Sequence, residues 1–174
     1  MPTFDSNKNI KIMGLSGLGI FHTIIGVIAI FAAITSFIRF GKIELSHSTG
    51  KLYFYTTVIT ALTALGLSKH GGFNAGHVFS VFIFIIVLIA FWLNHKKTGH
   101  NKFRYLENFL LSFSFFLSLI PTVNETFTRV PIGHPLAAGP TAPVIGKTLG
   151  LLLVFFIAGS VYQFYKQRKL IQVK

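Results

Sequence analysis

Residues 12–40, IMGLSGLGIFHTIIGVIAIFAAITSFIRF, decide the fold. Before Arg39 the only ionisable side chain in this run is His22. A helix needs about 20 apolar residues to cross a bilayer, so the run predicts a transmembrane helix long enough to tilt or to extend past the hydrocarbon. It is longer than the apolar core of a secretory signal, which predicts a retained helix rather than a cleaved leader.

Working outward, four more apolar segments follow, giving predicted spans at 12–40, 47–68, 73–93, 105–120 and 144–165. The second is the most polar, with Tyr53, Tyr55, Thr56, Thr57, Thr60 and Thr63, and its hydroxyls suit a position inside a bundle. The fourth is expected to stop at Pro121. Residues 122–143 are rich in proline and predict one long loop. The fold class is therefore all-α, a single integral membrane domain of five transmembrane helices.

Composition agrees. Of 174 residues 52% are hydrophobic and 11% charged, and the mean hydropathy is +0.65. Soluble domains carry about 25% charged residues, so the lipid bilayer is the expected solvent. The formal charge of +12 comes from residues that flank the apolar runs rather than forming one stripe. Topology and contact with anionic lipid explain that pattern better than nucleic acid does, and no nucleic-acid partner is expected. The chain has no cysteine, which excludes disulfides, thiolate metal sites and thiol nucleophiles.

Five spans would place Arg39, Lys42, Lys51, Lys96, Lys97, Lys102, Arg104, Lys166, Arg168, Lys169 and Lys174 on one side, against Lys8, Lys11, Lys69, Arg129 and Lys147 on the other. The positive-inside rule then predicts an outside N-terminus, a cytoplasmic C-terminus and an extracytoplasmic 122–143 loop, as for a bacterial inner-membrane protein.

The chemistry is expected at histidine. An ionisable group inside a span is costly enough to suggest function, and His22 stands among Gly19, Gly26, Ala29 and Ala33 on one helix face. Those small residues clear space beside a ligand; the same pattern also serves close helix packing. Alternating helix directions bring His22 and His77 toward one end of the bundle, and His47 and His100 toward the other. Two imidazoles can ligate one haem iron on both sides, a site for electron transfer. Lys51, Lys102 and Arg104 are available to haem propionates. His70, His95 and His134 read as surface histidines, and Glu107 is expected to pair with Arg104 or Lys102.

These residues resemble the transmembrane dihaem b-type cytochromes of the ascorbate-dependent, cytochrome b561-like class. In that class four consecutive helices each give one histidine, the first pairing with the third and the second with the fourth. His22-Thr23-Ile24-Ile25-Gly26, His47, His77-Val78-Phe79 and His100 match those positions. The entries His47-x-x-Gly50-Lys51-Leu52-Tyr53 and Gly99-His100-x-x-x-Arg104 are similar to DUF2306, a bacterial membrane-protein family of unknown function. The resemblance implies a cytochrome b-like bundle in the first four helices and two haem b groups on His22/His77 and His47/His100. It also implies an electron-transfer oxidoreductase activity, with a quinone or a partner redox protein as donor or acceptor. The alternatives are a structural or interaction subunit of a larger complex, or homo-oligomer, and a small membrane transporter. No serine-histidine-aspartate set or phosphate loop is present, which disfavours hydrolytic and nucleotide-dependent chemistry.

Overall fold

A computed structural model describes residues 16–67, 72–96 and 101–172, with the side chains of 170–172 left undescribed. The described residues form five helices and no strand. They are α1 (Gly17–Phe40), α2 (Ser48–Ala64), α3 (Ala75–His95), α4 (Asn101–Arg129) and α5 (Pro143–Gln172). All except α2 are long and apolar enough to cross a membrane.

Local chemistry sets the ends. The Ser16 hydroxyl accepts from the Gly19 amide at 3.1 Å and starts α1. Gly41 ends it in the left-handed conformation, φ 71°, with its amide donating to Phe37 O at 2.8 Å. Asn74 caps α3 by accepting from the amides of Gly76 and His77.

The helices pack in chain order, α1 on α2, α2 on α3, α3 on α4 and α4 on α5. The densest packing lies at one end of the bundle. Ala29, Ala32 and Ala33 of α1 meet Tyr53 and Phe54 of α2, Ile83, Ile86, Val87 and Ala90 of α3, and Leu111 and Leu117 of α4. Ile43 and Leu45 of the α1–α2 link close this core. Toward the other end burial fades: α1 has no buried residue between Gly19 and Ala29, α3 none between His77 and Ile83, and α4 none after Leu117.

Two sequence expectations change. The helix expected to end at Pro121 continues to Arg129, so the first eight residues of the expected 122–143 loop are helical. Proline removes one amide donor and frees the Leu117 carbonyl, which a membrane-length helix tolerates. The turns on either side add side-chain bonds, Ser118 Oγ to Ser114 O at 2.8 Å and Thr122 Oγ1 to Ser118 O at 2.7 Å. The remaining loop folds back on α4, the Ala137 amide donating to Phe127 O at 2.9 Å.

The second change concerns Glu107, which is 1% exposed and faces α3, where Asn94 Nδ2 donates to its Oε1. The sequence suggests cations of its own helix, and the register of α4 adds a partner on α3 by turning position 107 inward. Glu125 and Arg129 pair one turn apart.

Candidate functional site

His22 projects from α1 toward the last turns of α2. Its Nδ1 lies 3.1 Å from the carbonyl oxygen of Thr60 and 3.1 Å from Thr63 Oγ1. A carbonyl only accepts, so Nδ1 carries the proton. The Thr63 hydroxyl donates back to Ile59 O at 2.9 Å, or Thr60 O at 3.0 Å, and turns a lone pair toward the ring. The neutral imidazole then keeps its lone pair on Nε2. Fixing one ring nitrogen on a carbonyl to free the other is the usual way a protein orients a metal-binding histidine.

Space around His22 is not the product of tight packing. A methyl group added at Gly26 would meet Thr60 Cγ2 at 3.5 Å, an ordinary contact. The polar groups of α1 and α2, His22 with Thr60 and Thr63, therefore meet at the loosely packed end.

His77 is 5% exposed and lies at the same end. Its Nδ1 accepts from the Asn74 amide at 3.1 Å and completes the α3 capping box. Its Nε2 then holds the proton and donates to Leu67 O at 3.1 Å. Thr63 and Leu67 are four residues apart, so His22 and His77 both bond to the chain at the end of α2. Each His77 nitrogen already has a partner, and ligation of iron requires it to leave one.

His47 caps α2 at the opposite end, without a side-chain capping bond. Its ring stacks on Phe40 at 3.9 Å and 1°, and Nε2 lies 3.7 Å from Glu44 Oε2. Glu44 also pairs with Lys42 at 3.2 Å. His100, His70 and the start of the first predicted span lie outside the described residues. Of the cations expected near propionates, Lys51 is exposed on α2, whereas Lys102 lines a cavity between α4 and α5.

The chemistry of these groups fits a porphyrin unevenly. His22 could offer its Nε2, His77 could do so only after losing the Leu67 bond, and His47 has one ring face covered by Phe40. His95 bonds Phe91 O of its own helix at 2.9 Å, and His134 is exposed. Among the described residues no three His, Cys, Asp or Glu gather to hold a bare metal ion.

Residues that sequence reasoning missed are Thr60, Thr63 and Asn94. The threonines had been read only as internal hydroxyls, and a carbonyl partner leaves no trace in a sequence. Comparison with family models, with curated proteins and with solved structures finds no match for this chain.

Proposed function

We propose that this protein is a b-type membrane cytochrome that moves electrons across or within the bilayer. In this reading there are five spans, α2 included, of which the first four form a cytochrome-like bundle, with the N-terminus outside and the C-terminus cytoplasmic. Exposed Leu52, Tyr55, Ile59, Leu62 and Leu65 along one side of α2 support its place as a span. The observation that carries the functional reading is the His22 ring, held through Nδ1 by Thr60 O with Nε2 left to ligate.

His22 and His77 would hold one haem at the loosely packed end, and His47 and His100 the other. Haem b supplies an iron that exchanges one electron without exchanging its two imidazoles. The chain's own part is to orient His22 through Thr60 and Thr63, and to free His77 from Leu67. Helix α1 passes about 27 Å between His22 and Phe40, which separates the two pairs by most of a bilayer. A quinone or a partner redox protein is the donor or acceptor.

Under this proposal His22→Ala and His77→Ala each remove the same haem and spare the other. Haem quantified per purified chain tests this, and loss of neither haem in both variants rejects the pairing.

A second reading has its own observation. His77 already serves as a helix cap with both nitrogens bonded, as expected of a structural histidine in an interaction subunit. That reading predicts a stable protein partner surviving gentle detergent and no haem.

A further inference from the structure

Helices α4 and α5 part around a cavity of about 400 Å³ near the end where α5 carries Lys166, Arg168 and Lys169. Lys102, Asn108, Ser160, Gln163 and Gln167 supply its polar lining, and no acidic residue lines it. Its apolar wall includes Tyr105 and Phe164, whose rings lie 5.0 Å apart, and Phe109.

The polar groups are unusual for their depth. Asn108 is 4% and Gln163 7% exposed. Ser112 Oγ donates to Gln163 Oε1 at 3.0 Å, which leaves the Gln163 amide nitrogen as a donor. Ser160 Oγ and Gln167 Oε1 are shielded and have no hydrogen-bond partner among the described residues. A buried polar group left unbonded costs about 1–3 kcal/mol, and since both side chains line the cavity, a turn of either into it would gain a bond from an occupant.

The surroundings say what kind of molecule. The apolar window of α5 is only 6% buried, so the cavity borders the region that acyl chains occupy. At its polar end stand a lysine and amide donors, close to the cluster of cations that ends α5. An occupant with an oxyanion head and an apolar tail satisfies both. The unbonded Gln167 Oε1 further favours a head that carries a hydroxyl donor.

We propose that this cavity binds one anionic glycerophospholipid, its phosphate on Lys102 and the Gln163 amide and an acyl chain along Phe109 and Phe164. The site is independent of the histidines. A fatty acid shares the oxyanion and the chain but lacks the hydroxyl-bearing head.

The test uses the purified full chain, delipidated in mild detergent and titrated with dioleoyl phosphatidylglycerol, dioleoyl phosphatidylcholine or oleate, with bound lipid counted by native mass spectrometry. One phosphatidylglycerol per chain is expected, bound at least about tenfold more tightly than phosphatidylcholine, whose choline cation meets Lys102 and the cations ending α5 and whose head lacks a hydroxyl donor, and more tightly than oleate. Lys102→Ala weakens it by about fivefold, the usual worth of one lysine at an anionic headgroup, whereas Lys96→Ala, outside the cavity, leaves it unchanged. Gln163→Leu weakens it likewise. Equal retention of the two phospholipids, tighter binding of oleate, or unchanged binding in a folded Lys102→Ala protein would overturn the assignment. The comparison of lipids on the unaltered chain decides the matter even where Gln163→Leu does not fold.

Discussion

His22 Nδ1 lies 3.1 Å from the carbonyl oxygen of Thr60, a bond from the side chain of α1 to the backbone of α2. It fixes the ring without depending on any other side chain, and Thr63 adds a second acceptor. Thr63→Val is therefore expected to cost only about 1 kcal/mol, because the carbonyl remains. Thermal unfolding in detergent, followed by circular dichroism, measures it. A loss above about 3 kcal/mol would mean that the hydroxyl, not the carbonyl, holds the ring.

Gly50 is fixed by the backbone of the preceding link. A methyl group there would run into the carbonyl of Glu44. Gly50→Ala is expected to destabilise by at least about 1–3 kcal/mol, as overpacking does. Gly150→Ala in α5 meets nothing within 4 Å and is expected to be neutral or to stabilise by up to about 1 kcal/mol through helix propensity. Unfolding midpoints of the two variants in one detergent check the contrast.

Tyr53 is 1% exposed, and its hydroxyl lies 2.8 Å from Ser114 Oγ across the bundle. Tyr53→Phe is expected to cost about 1 kcal/mol. Because Ser114 also bonds Leu111 O, the double variant Tyr53→Phe/Ser114→Ala should lose less than the sum of the single losses. A double-mutant cycle measures the difference, and strict additivity would deny the bond.

Asn94 donates to the buried carboxyl of Glu107. Asn94→Leu is expected to destabilise by about 1–3 kcal/mol, the cost of taking this donor away from a buried oxygen. Glu107→Gln keeps the size and an acceptor and should cost less. The ranking of the two unfolding temperatures is the check.

The helices were legible because apolar runs of bilayer length leave few other solutions, and α1, α3, α4 and α5 fall where those runs do. The end of α4 was not, because proline breaks helices in water but is tolerated within a membrane-length helix, where α4 runs through Pro121 to Arg129. At the candidate site, the alternation of histidines put His22 and His77 at one end, and both bond the chain near the end of α2. The bonds themselves were hidden, since they go to carbonyl oxygens that every residue carries. The His47-x-x-Gly50-Lys51-Leu52-Tyr53 motif acquires a packing explanation as well. Gly50 gives way to the Glu44 carbonyl and Tyr53 reaches Ser114, so two of its positions are accounted for without a cofactor.

The central claim is that the histidines hold haem. An oxidised and a dithionite-reduced absorption spectrum of the purified protein, expressed with ample haem and with haem quantified per chain, tests it most directly. A low-spin b-type spectrum with about two haems per chain is expected, as two bis-histidine sites require. A protein that folds, remains intact in detergent and carries no haem would contradict it, leaving His77 a helix cap and the bundle an interaction subunit.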